Sequence, residues 1–148
     1  MDKSLDNAAK IFCGQICNRK VHQLTFRHVE RNHKKVYEEI WDFPAVAVAC
    51  KSHLQKRIYL DYSKGCRAAG FRPPLRQLLE TLGIIGKTRK GCKNIIGRCA
   101  EQHVCNKLLG NDPLACIKNV EFSTAYRPKT LQVMDYCENC KEIFTQLR

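Results

Sequence analysis

Two short runs, Cys99-Ala100-Glu101 and Cys137-Glu138-Asn139-Cys140, hold the residues of this chain whose types and spacing suit chemistry. Three cysteine thiolates grip a zinc ion and leave a fourth coordination position open for water, while a nearby carboxylate that is not a ligand moves protons. The expected cofactor is therefore one catalytic Zn²⁺ on Cys99, Cys137 and Cys140, with Glu101 as general acid/base. A structural Cys₄ site competes with this reading, because Cys92, Cys105 and Cys116 are available as a fourth ligand. Cys13 and Cys17 offer the start of a separate site.

These groups need elements to hold them. Apolar residues Leu5, Ala8, Ala9, Phe12 and Ile16 recur at helical spacing, and a second helical stretch is expected over 28–40. Residues 44–51 (PAVAVACK) form a short apolar run suited to a buried strand, and 55–62 should pair with it as a hairpin. Trp41 and Phe43, just before that strand, read as core. Pro73-Pro74 opens a helix that Gly83 stops, and 86–97 reads as a glycine-punctuated basic loop. A helix over 98–109 should end at Gly110. A third strand follows over 119–126, and then a last helix near Tyr136 with Asp135 as N-cap. Both ligand runs thus fall at helix N-termini, where the helix dipole and free N–H groups favour thiolate. The order helix, strand, strand, helix, strand, helix implies an α/β fold with a small mixed sheet and helices on both faces.

Composition limits the setting. A chain of 148 residues with 44% apolar content makes one folded domain, a helical extension over 1–40 packed on a core at 44–148. No apolar run reaches the length of a membrane span, and Asp2, Lys3, Asp6, Lys10, Arg19 and Lys20 break up any signal-peptide core. The ten cysteines are scattered, many in apolar segments, which fits buried thiols in a reducing compartment better than a disulfide framework. The net charge is +12, and residues 51–98 carry most of it, with twelve Lys/Arg against two Asp/Glu. A positive flank leading into a catalytic motif suits a phosphate-backbone substrate. Arg67, Arg72, Arg76, Lys87, Arg89, Lys90, Lys93 and Arg98 form the expected phosphate-contact set.

The run Gly97-Arg98-Cys99-Ala100-Glu101-Gln102-His103 with Tyr136-Cys137-Glu138-Asn139-Cys140 resembles the cytidine-deaminase-like superfamily. Within it, the chain is most similar to bacterial polymorphic-toxin deaminases that carry C-A-E, the YwqJ-like type. The likeness covers element order from about Ala45 to Phe144, but specific residues match only in the two motifs. Tyr136 stands where many members have proline, and few residues follow the last ligand helix to build further strands. The resemblance implies a three-layer cytidine-deaminase-like fold reduced at its C-terminus, with the same three ligands and the same proton shuttle. It also implies a toxin domain acting inside a target cell, with an immunity protein as partner.

Asn94, His103, Ser123, Thr124, Ala125, Tyr126 and Tyr136 are the candidate base-pocket residues: hydrogen-bonding groups and aromatic rings near the motifs. The leading expectation is deamination of cytosine to uracil in nucleic acid, DNA favoured over RNA, by a monomer with no membrane partner. Two alternatives stand beside it. One is a free nucleoside, nucleotide or adenine deaminase; the other is a structural-zinc module that binds nucleic acid.

Overall fold

The computed structural model describes residues 3–18, 23–31, 34–65 and 67–147. Helix α1 (Lys3–Asn18) buries Leu5, Ala9, Cys13 and Ile16, one stripe of its surface. Beyond it the chain departs from the helical expectation. Strands β1 (Gln23–Arg31) and β2 (Lys34–Asp42) pair antiparallel, from Gln23↔Asp42 to Arg31↔Lys34. This segment is rich in β-branched and aromatic residues (Thr25, Phe26, Val29, Val36, Tyr37, Ile40, Trp41), which outweigh its chance helical spacing.

The main sheet is built on β3 (Ala47–Ser52). One edge of β3 pairs with β4 (Tyr59–Tyr62), and the other pairs with β5 (Val120–Phe122) and then β6 (Ala125–Tyr126). Strand β7 (Val133–Met134) adds to β6. Every ladder of this five-stranded sheet among the described residues is antiparallel, where the sequence suggested a mixed sheet. The expected third strand is split because Ser123 turns its hydroxyl inward. Its Oγ accepts from Ala49 N at 2.9 Å and donates to Thr124 O at 2.8 Å.

Alternation along β3 separates two cores. Ala47 and Ala49 face α1 and pack with Leu5, Ala9, Cys13, Ile16 and Tyr126. Val48 and Cys50 face the opposite side, with α2 (Pro73–Leu82), α3 (Ala100–Asn111) and α4 (Glu138–Ile143). That second core includes Phe71, Leu75, Leu79, Ile96, Val104, Leu108 and Phe144. Helices therefore cover both faces of the sheet.

Two helix ends differ from expectation. Helix α3 runs through Gly110 to Asn111, and Asp112 caps it with its N–H on Leu108 O at 2.9 Å. Glycine inside a helix costs only about 1 kcal/mol, too little to enforce a stop. Helix α4 starts after Cys137, which is its N-cap in place of Asp135. Among the described residues no helix is long and apolar enough to cross a membrane.

Candidate metal centre

Cys99 is the extended N-cap of α3 and Cys137 that of α4, while Cys140 lies one turn into α4. The glycine before the first motif fixes the approach. Gly97 has φ 92°, and a Cβ there would meet Ile85 Cγ2 at 2.9 Å and Phe71 Cε2 at 3.2 Å, so the chain turns tightly against the core. The result brings the sulfurs of Cys99, Cys137 and Cys140 within 4.8 Å of one another, with Cys99 and Cys137 at 3.1 Å. Among the described residues no fourth cysteine, histidine or carboxylate joins them. Cys105 is buried in the second core, Cys116 is exposed, and Cys92 sits in the basic loop. Cys13 and Cys17 lie on α1, and Cys17 Sγ donates to Pro128 O at 3.4 Å. The nine described cysteines are all free thiols.

Three soft sulfur donors at this spacing suit zinc. Without metal the cluster shares one negative charge. Thiol hydrogen bonds from Cys140 and Cys99 hold Cys137 down to about 3. The backbone amides of Cys140 and Asn139 add to this. The same interaction pushes the Cys99 and Cys140 thiols upward, because each gives its hydrogen to Cys137.

Glu101 is 4% exposed and lines the cleft beside these sulfurs. Burial raises its carboxyl to about 7, and the charge on Cys137 adds to the rise. Cys140 Sγ donates to its Oε2 at 3.5 Å. The cleft has a volume of about 900 Å³ and is walled by Phe43, Lys93–Ile95, Arg98 and the stretch Gln132–Glu138. Phe43, expected in the core, is only half-buried, and Lys129 Nζ lies 4.6 Å above its ring. The side chain of Trp41 lies outside the described residues.

Of the base-pocket candidates, Asn94 and Tyr136 line this cleft. Tyr136 donates its hydroxyl to Ser123 O at 2.8 Å, and burial pushes its phenol up to about 12. The other five do not wall the cleft. His103 is buried behind Glu101, its ring donating to Lys64 O at 2.9 Å and packing 5.4 Å from Phe71. Ser123 closes the strand break, and Thr124 N donates to Asp6 Oδ1 at 2.7 Å, fastening α1 to the sheet. Ala125 and Tyr126 are buried in β6, with Tyr126 in the α1 core.

The cations divide similarly. Lys93 and Arg98 line the cleft. Arg67, Arg72, Lys87 and Lys90 are exposed, and Arg76 is half-buried on α2. Arg89 turns inward, its Nε donating to Asn139 Oδ1 at 2.6 Å. Asp135 and Glu138 bring acidic groups to the same rim.

Sequence reasoning gave no role to two buried amides. Gln102 is fully buried; its Oε1 accepts from Gly97 N at 2.8 Å and its Nε2 donates to Cys140 Sγ at 3.5 Å. It ties the turn before Cys99 to the sulfur of Cys140. Asn139, also fully buried, lies between Cys137 and Cys140. Their only sequence signal was position: one follows Glu101 and the other fills C-x-x-C. No protein-family model, curated protein or solved structure matches the chain.

Proposed function

We propose that the protein is a zinc-dependent deaminase acting on a base within nucleic acid, cytosine being the favoured target. The observation that carries this reading is the three-sulfur cluster, of which Cys99 and Cys137 line a cleft that Glu101 also lines. A purely structural zinc site encloses its metal with four protein ligands, whereas a catalytic one keeps a position free. Zinc held by Cys99, Cys137 and Cys140 supplies the Lewis acidity that makes water a nucleophile near neutral pH. Glu101 would take the two protons of the attacking water in turn, passing the first to the ring nitrogen and the second to the departing amine. The water oxygen would bond to C4 of the base, the bond from C4 to the exocyclic amine would break, and ammonia would leave.

Around the reacting atoms, Tyr136 and Phe43 offer ring faces to a planar base, and Asn94 offers an amide to its edge. Lys93 and Arg98 supply positive charge where a phosphate would pass. This favours a nucleic acid over a free nucleoside, which has no phosphate. A toxin role and an immunity-protein partner follow from the motif likeness alone.

The test uses zinc-loaded protein with single- and double-stranded oligonucleotides containing cytosine or adenine, with free cytidine in parallel. Uracil in the oligonucleotide, and none from folded, zinc-loaded Glu101→Ala, supports the proposal. Turnover of cytidine alone shifts the substrate to free nucleosides. Binding to DNA with no product, unaffected by Glu101→Ala, supports a structural module.

A further inference from the structure

The loop that walls one side of the cleft is fastened to the metal-binding helix through Asn139. Asn139 Oδ1 accepts from Arg89 Nε at 2.6 Å, and its Nδ2 donates to Asn94 O at 3.1 Å. Arg89 and Asn94 belong to the same loop, which is also pinned internally. Gly86 N donates to Ile96 O at 2.8 Å, Ile96 N to Lys87 O at 3.0 Å and Cys92 N to Arg89 O at 3.2 Å. One fully buried amide therefore clips both limbs of the loop, and it sits between ligands Cys137 and Cys140.

We infer that Asn139 and Arg89 are positioning residues that couple metal occupancy to the order of the substrate wall at Lys93–Ile95. The inference rests on the deaminase reading for its substrate, but the coupling itself is a property of the chain. Metal binding fixes Cys137 and Cys140, and hence the first turn of α4 from which the Asn139 side chain projects. Fixing that turn fixes the two acceptor and donor positions that hold the loop. Arg89 on this account is a brace rather than a phosphate contact, and Asn94 meets the substrate from a backbone that α4 holds in place. Groups around a metal's ligands commonly tune a site in this way.

Amide hydrogen exchange across 86–96 tests the coupling without any need for activity. Zinc content is measured on the same samples. In the native chain, removing zinc with a chelator should speed exchange at Cys92 and Ile96 by about tenfold, the scale of one or two lost hydrogen bonds. Asn139→Ala with zinc bound should show the same fast exchange. Arg89→Gln, a change in the loop that leaves the buried core intact, should show it in part and covers the case in which Asn139→Ala does not fold. In turnover both variants should raise KM more than they lower kcat, because they disorder a wall and spare the reacting groups. Zinc-loaded Asn139→Ala or Arg89→Gln exchanging as slowly as the native chain would overturn the inference while leaving the deaminase reading intact. A chain that takes up no zinc would defeat both.

Discussion

The two faces of β3 are made by one strand and differ in what they bury. Toward α1 lie Ala47, Ala49, Leu5, Ala9, Ile16 and Tyr126, a core of apolar contacts fastened at its edge by Asp6 and Thr124. Toward α3 and α4 the packing also takes in Glu101, Gln102, His103 and Asn139, all nearly or wholly buried. Burying polar groups is costly unless each finds a partner, and each of these has one. Both faces hold the domain together by apolar packing, and the second also uses part of its packing to fix chemical groups. Changes on the first should act on stability, and changes on the second on metal and catalysis.

Glu101→Gln gives the sharpest separation. It keeps shape and burial but removes the proton shuttle, so deamination should fall by at least ~10²-fold with zinc content and unfolding midpoint close to native. Equal loss of zinc or of stability would show that Glu101 belongs to the structural side. Ile16→Ala is the opposite change. A large-to-small cavity in the α1 core should cost ~2–5 kcal/mol in urea unfolding, while the folded fraction keeps native zinc affinity and turnover.

How far the sequence revealed this division depends on how local each cause is. The clustering of Cys99, Cys137 and Cys140 was legible because residue type and short spacing dictate it: C-A-E straddles one helix start and C-x-x-C spans the first turn of another. The β3–β4 hairpin was legible from a short apolar run. The β1–β2 hairpin was not, because its apolar residues satisfy a helical period by accident, and that period masks a strand pairing that runs from Arg31↔Lys34 to Gln23↔Asp42. Gln102, Asn139 and the inward turn of Arg89 were invisible for a different reason. A buried amide gains its role from what three other segments bring to it, and that is tertiary information. Ser123–Tyr126 looked like pocket residues because they precede C-x-x-C, whereas the strand break turns them toward the sheet and α1.

Two smaller effects refine the contrast. Gln102→Ala removes the N–H donor to Cys140, and competition with a chelator should show zinc affinity lower by ~10–100-fold. An unchanged affinity would make Gln102 a packing residue only. His103 tests the polar face through pH. Burial, and then the Lys64 ammonium, lower its pKa, outweighing Asp61 and the carbonyls of Lys64 and Gly97. The fold therefore favours neutral imidazole. Its contribution to stability is complete above the unfolded pKa of about 6.5 and declines as pH falls from there toward the lowered folded value. In metal-free protein, urea unfolding between pH 7 and pH 5 should show this decline, and His103→Gln should flatten it. Identical pH slopes would place the dependence elsewhere.

Zinc K-edge X-ray absorption on the zinc-loaded protein reads the number and kind of atoms around the metal. Three sulfur neighbours at about 2.3 Å and one lighter atom at about 2.0 Å are expected for an open three-thiolate site. Four sulfur neighbours, or fewer than three, would contradict it.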